Sequence, residues 1–142
     1  MSCIFCKIIK GEIPSYKIYE DEYTYAFLDI AKDVDGHTLV IPKKHVVNVL
    51  DCDEETLAHV MNTVKKISNH YVNNCGFEGC NILNASGVAA QQTVMHLHFH
   101  IIPRKADDKV DSWPHFEGAK ESLEYYAELL KIKYYGKKTK LV

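Results

Sequence analysis

The sequence predicts an α+β fold: a largely antiparallel sheet of about five strands with one long helix, a short N-terminal helix and a C-terminal helix. Three observations carry this. Short aromatic and β-branched runs lie on both sides of one long helical stretch, which argues against repeated strand–helix–strand winding. Leu57, Val60, Met61, Val64, Ile67 and Tyr71 recur at the spacing of one helix face. In Val94-Met95-His96-Leu97-His98-Phe99-His100-Ile101-Ile102-Pro103, three histidines alternate with large apolar residues, as in a half-buried strand. No internal repeat and no Pro/Gly/Ser-rich linker divides the 142 residues, so 1–142 reads as a single domain.

Taken in order, residues 1–10 form a short helix that stops at Gly11, and Pro14 keeps the following segment extended. Residues 16–20 and 23–29 are two strands around a tight Asp21-Glu22 turn, and Asp35-Gly36 is a turn ahead of a strand at 37–42. Asp51-x-x-Glu54 resembles a capping box that opens the long helix, which ends near Asn73-Asn74-Cys75-Gly76, where Asn and Gly suit a left-handed cap. A short strand at 80–83 and a small-residue loop at 85–92 lead into the histidine strand. A second helix spans 117–135 with a basic tail, which makes about 117–142 a C-terminal helical extension. The helices are expected to cover one sheet face, leaving the other face or an edge for a ligand or a second subunit.

A net charge of -2 and a charged fraction of 25% describe an ordinary polar surface, with no basic tract for a nucleic-acid duplex. A small anionic ligand needs only a local pocket and stays open. Residues 1–10 lack the apolar core of a signal peptide, and no stretch is long enough to span a membrane. Cys3, Cys6, Cys52, Cys75 and Cys80 are an odd number without the density of a disulfide scaffold, so the expectation is a cytoplasmic protein in a reducing compartment.

Strict alternation puts His96, His98 and His100 on one face, about 6 to 7 Å apart, with Met95, Leu97, Phe99 and Ile101 on the core face. A single strand histidine is ordinarily a hydrogen-bonded core or surface residue. Three in a row are a poor packing choice, because charging one disfavours charging its neighbours. The row serves either a substrate or a zinc ion. Cys3-x-x-Cys6 is a zinc half-site or two free thiols, and Asp29 alone reads as a strand-end turn residue. Phe5, Phe27, Ile30 and Leu39 either line a pocket for a flat base or belong to the core.

Several separated motifs then carry a resemblance. Ala26-Phe27-Leu28-Asp29-Ile30, Gly36-His37-Thr38-Leu39-Val40-Ile41-Pro42-Lys43-Lys44-His45 and Gln92-Thr93-Val94-Met95 before His96-x-His98-x-His100-Ile101-Ile102-Pro103-Arg104 resemble the histidine triad (HIT) family, nearest its nucleoside phosphoramidase branch, from Cys3 to about Arg104. The resemblance implies a nucleotide hydrolase or transferase that attacks the α-phosphate of a purine nucleotide through a nucleotidyl-histidine intermediate. It makes His98 the nucleophile, with His100 at the phosphate or leaving group, His96 as an orienting residue and His45 as a proton relay. Asp29 and Ile30 would hold the nucleoside, and Asn84, Gln92 and Thr93, with His98 and His100, the phosphate. Where the family has Gly-Gln this chain has Gln91-Gln92. Some members place a structural zinc on the residues matching Cys3, Cys6, His45 and His96, with none needed at the reacting phosphorus. The resemblance also implies a homodimer. The rivals are a dinucleoside polyphosphate hydrolase, which His100-Ile101-Ile102-Pro103-Arg104-Lys105 suits as well, and a non-catalytic zinc or nucleotide-binding module.

Overall fold

The computed structural model describes residues 2–133. In chain order they form α1 (Ile4–Ile9), β1 (Lys17–Glu20), β2 (Thr24–Leu28), β3 (Thr38–Pro42), α2 (Glu54–Asn74), β4 (Gly79–Leu83), a 3₁₀ turn (Val88–Ala90), β5 (Phe99–Arg104) and α3 (Leu123–Leu130). All neighbouring strands pair antiparallel, in the order β1-β2-β3-β5-β4. The α+β class and the five-stranded antiparallel sheet are as the sequence predicts.

The chain divides after Ser112 into two compact units. The first carries the sheet, α1 and α2. In the second, α3 begins where Ser122 Oγ accepts the Tyr125 N–H, and it runs for 8 residues. This is shorter than the helix expected at 117–135. Gly118, at φ +121°, holds a backbone conformation no helix contains, so the helix cannot begin at 117. Positions 134 and 135 lie outside the described residues.

The period-2 pattern of β3 and β5 supplies two apolar layers. Ala26, Val40, Leu97, Phe99 and Ile101 pack against Val60, Val64, Ile67 and Tyr71 of α2. On the opposite face Tyr25, Phe27, Leu39 and Ile41 pack beneath Phe5 and Ile8 of α1. Both faces are therefore covered, so of the expected free face or edge only an edge is left. Two buried hydroxyl pairs tie α2 to the sheet, Thr24 Oγ1 to Thr63 Oγ1 and Thr38 Oγ1 to the Tyr71 hydroxyl, each at 2.7 Å. They satisfy groups whose burial would otherwise be costly.

The N-cap of α2 is Asp53, whose carboxylate accepts the Thr56 N–H at 3.0 Å, with Glu54 and Glu55 in the positively polarised first turn. This corrects the expected capping box at Asp51. Asp51 instead accepts the N–H groups of Val47 and Asn48 and closes the preceding loop. The helix ends at Asn74, within the expected Asn73-Asn74-Cys75-Gly76 stretch, and Gly76 takes the left-handed conformation at φ +85°. Gly36 has φ +77°, and a Cβ there would lie 2.7 Å from Pro103 Cγ, so both the turn and the approach to β5 require glycine.

The regular part of the histidine strand begins only at Phe99, because the chain bends at 94–96. Leu97, Phe99 and Ile101 reach the core as expected. Met95 does not: it falls in the bend, where alternation no longer holds, and is 40% exposed.

Candidate active site

His98 sits just before β5, 9% exposed, with the edge of the Phe5 ring at a centroid distance of 5.2 Å. Its Nδ1 lies 2.7 Å from the main-chain oxygen of His96. A carbonyl only accepts, so Nδ1 carries the proton and Nε2 the lone pair. Burial pushes the His98 pKa down, keeping the ring neutral. The Asn84 amide donates to the His98 carbonyl at 3.0 Å, and its oxygen accepts the Ser86 hydroxyl, so Asn84 pins the backbone of the central histidine to the loop after β4.

His100 follows on the same face, its ring centroid 5.0 Å from that of His98. In the strand register it lies opposite Leu39 of β3. Its Nδ1 is 2.8 Å from Nε2 of His37, and Nδ1 of His37 is 2.9 Å from a carboxylate oxygen of Asp33. Burial, then the neighbouring His98 and His37, push the His100 pKa down to about 4. Asp29 lies beside this chain, with Oδ2 3.8 Å from His37 Nε2 and Oδ1 accepting the Ala31 N–H at 2.8 Å. A recess of about 330 Å³ opens here, lined by Leu28, Asp29, Lys32, Val34, Gly36 and His37. Ile30 is 77% exposed. Phe5 of α1 packs with Phe27 and Leu39 in one buried cluster on this face of the sheet.

His96 is wholly buried. Its Nε2 donates to the Pro42 carbonyl at 2.9 Å, which leaves the Nδ1 lone pair facing Cys3 Sγ at 3.3 Å, Cys6 Sγ at 3.6 Å and His45 Nδ1 at 3.1 Å. Cys6 Sγ and His45 Nδ1 are 3.4 Å apart. Around a tetrahedral zinc with ordinary bond lengths, the nitrogen–nitrogen and nitrogen–sulfur edges are about 3.3 and 3.6 Å. The donor set fits the ion. Burial, opposed by the Pro42 hydrogen bond, pushes the His96 pKa down to about 4, and the neutral ring is the form that ligates. Burial also pushes the Cys6 thiol up; a divalent cation reverses that by favouring the thiolate.

The loop before the histidines is held by Gln92. Its Oε1 accepts from Asn48 Nδ2 and the Gly87 N–H, and its Nε2 donates to the carbonyls of Val47 and Val94. All four hydrogen-bonding positions of the amide are used inside the protein, so this side chain shapes the loop. Gln91 occupies the left-handed region, at φ +74°, a conformation that glycine adopts freely. Thr93 is exposed and lines a groove of about 620 Å³ together with Cys3, Ile4, Lys7, His45 and Met95.

The structure thus brings His98 and His100 together beside Asp29, and gathers His96 and His45 with the two cysteines. The histidine hydrogen-bonded to His100 is His37, and His45 is in the cysteine cluster. Sequence reasoning assigned no role to His37 or Asp33. The available signal was the strand at 37–42, whose alternation puts His37 on the face of Leu39 and Ile41.

Comparison with known proteins agrees with this geometry. A family model described as HIT domain matches residues 10–107. A HIT-like protein of Borreliella burgdorferi is 50% identical over 108 residues, covering 75% of this chain and 78% of the relative. An adenosine 5'-monophosphoramidase of Schizosaccharomyces pombe is 39% identical over 135 residues, covering 94% of this chain and 98% of the relative. Among solved structures, a zinc-bound histidine triad family protein of Mycobacterium smegmatis superposes with a TM-score of 0.75 at 42% identity, covering 79% of this chain and 81% of that one. With the family model spanning more than half its length, the chain belongs to the HIT domain family.

Proposed function

We propose that this protein hydrolyses purine nucleoside phosphoramidates, in two displacements at the α-phosphorus, through a nucleotidyl intermediate on His98. The observation that carries the reading is the 2.7 Å contact between His98 Nδ1 and the His96 carbonyl, which leaves the Nε2 lone pair as the nucleophile. In the first displacement Nε2 bonds to phosphorus, the P–N bond breaks, and the amine departs with a proton from His100. The ring of the intermediate is cationic, and the His96 carbonyl on its Nδ1–H stabilises that charge. In the second, water attacks phosphorus as His100 takes its proton, and the bond to His98 breaks to release the nucleoside monophosphate. Asp29 Oδ2 accepts the ribose hydroxyls and Ile30 meets the base; the recess beside Asp29 supports this placement. The names of yeast relatives support the substrate class.

A structural Zn²⁺ on Cys3, Cys6, His45 and His96 belongs to the same reading, supported by the fit of the donor set and by the zinc-bound relative. It would pin α1 against the strand and take no part at phosphorus. The homodimer is proposed with it; among the described residues β4 pairs only with β5 and leaves a main-chain edge for a second copy. Cytoplasmic action is proposed on the five unpaired thiols; no described helix is long and apolar enough to cross a membrane.

The test is parallel incubation with adenosine 5'-monophosphoramidate and a diadenosine polyphosphate, with mass spectrometry of the quenched protein. Faster release of AMP from the phosphoramidate and an adduct on His98 support the proposal. Preference for the polyphosphate assigns the other hydrolase branch, and binding without turnover assigns a nucleotide-binding module.

A further inference from the structure

Asp33 lies outside the motifs that carry the family resemblance, on the loop between β2 and β3, four residues ahead of His37. Its carboxylate oxygen is 2.9 Å from His37 Nδ1. An ionised carboxylate only accepts, so His37 Nδ1 is protonated and, in the neutral ring, its Nε2 holds a lone pair. That lone pair, 2.8 Å from His100 Nδ1, takes the His100 Nδ1–H. With both rings neutral, the only arrangement that satisfies both contacts leaves the Nε2 lone pair of His100 open, with no partner among the described residues. One carboxylate therefore fixes two tautomers in series. The hydrogen bond from His37 holds the Asp33 carboxyl below its ordinary range, which keeps it an acceptor. Also facing the pair are Asp29, 3.8 Å from His37 Nε2, and His98, with its ring 5.0 Å from that of His100, while Lys32 and Asp35 line the same recess as His37. Leu39 and Leu83 flank His100 in the strand register and bring no charge.

We propose that Asp33 is a positioning residue of the phosphoryl-transfer site, orienting His37 so that His100 presents Nε2 to the leaving group and stabilising the protonated form of the His37–His100 pair. This deepens the phosphoramidase reading and rests on it for the identity of the reaction. When the P–N bond breaks, the proton on His100 Nε2 goes to the departing nitrogen. When water attacks, its proton returns to the same atom, so each turnover restores the pair and Asp33 stays ionised throughout. The negative phosphate of a bound substrate favours protonated His100, which supplies the proton at neutral pH despite the burial of the ring. An asparagine at position 33 removes the charge. It can also turn its amide to donate to His37 Nδ1, which reverses the hydrogen-bond sense of the whole chain.

The experiment compares the full-length protein with Asp33→Asn and Asp33→Glu, by kcat and KM across pH with adenosine 5'-monophosphoramidate and by ¹⁵N NMR of the histidine rings. Asp33→Asn should lower kcat by about ten- to a hundredfold, as loss of an orienting partner does elsewhere. It should leave KM within about twofold and move the alkaline limb of the kcat profile about one pH unit lower, because the protonated pair has lost an adjacent anion. Asp33→Glu should recover most of kcat. The ring spectra should give a single tautomer of His37, protonated at Nδ1, in the unaltered protein and a mixture in the asparagine variant. An alkaline limb and tautomer unchanged by Asp33→Asn overturn the proposal even if kcat falls, since that pattern is a loop effect. If the unaltered protein turns over no phosphoramidate, the reaction is misassigned, and the ring spectra alone still decide whether Asp33 positions the pair.

Discussion

Acid should destabilise this fold through His100, and the amount follows from its burial. The ordinary histidine pKa of 6.5 falls to about 4 at this position, chiefly because the ring is withdrawn from water. The unfolded chain, whose His100 titrates normally, therefore binds the proton more readily than the folded one between these two values. Stability contributed by keeping His100 neutral is complete above about pH 6.5, declines as pH falls towards 4, and is constant below that. A separation of this size corresponds to about 3 kcal/mol in total, or roughly 1.4 kcal/mol for each pH unit within the window. The perturbation is His100→Gln, which keeps a polar side chain of similar reach and removes the titration. Urea denaturation of both proteins between about pH 7 and 4.5 should give curves that diverge as acid is added. The unaltered protein should lose roughly 2 to 3 kcal/mol more than the variant by the acid end. The titration of the Cys/His cluster is common to both proteins and cancels in the difference. Parallel curves would refute the reasoning, since they mean that His100 has the same proton affinity folded and unfolded.

Three other outcomes follow from the site. His98→Asn should cut turnover on the order of a thousandfold or more while nucleotide binding persists, because an amide has the polarity of imidazole without a nitrogen lone pair able to bond phosphorus; a tenth of the original rate remaining would place the nucleophile elsewhere. Cys3→Ser with Cys6→Ser should abolish zinc binding and lower activity only in part, as read by metal analysis and AMP release, and zinc content unchanged in that double variant would remove the cluster as its site. Asp29→Asn should weaken ribonucleotide binding by about 1.5 to 3 kcal/mol and erase most of the preference over a 2′-deoxynucleotide. Paired titrations with the two monophosphates measure both effects, and an undiminished preference would reduce Asp29 to the turn residue that its bond to the Ala31 N–H already makes it.

Local patterns determined much of this protein. The spacing of Val60, Val64, Ile67 and Tyr71 is a property of neighbouring residues, and it produced α2 and its buried face without reference to the rest of the chain. Alternation likewise put His98 and His100 on one face and Phe99 and Ile101 on the other. The motif resemblance added that Cys3, Cys6, His45 and His96 meet, a grouping no local periodicity contains. Periodicity failed where the backbone leaves regular geometry, at Met95 in the bend and at Gly118 before α3. The Asp51-x-x-Glu54 pattern also gave the wrong cap: Asp53 caps α2, and Asp51 accepts N–H groups of the preceding loop. Only the tertiary structure decided the hydrogen-bond partners of the histidines. The link from Asp33 through His37 to His100 depends on the pairing of β3 with β5 across 63 residues of sequence, and the four bonds of Gln92 depend on two loops meeting. A ring nitrogen takes its proton from whatever the folded chain sets about 3 Å away, and that neighbour is fixed by strand register, which the order of residues along one strand does not contain.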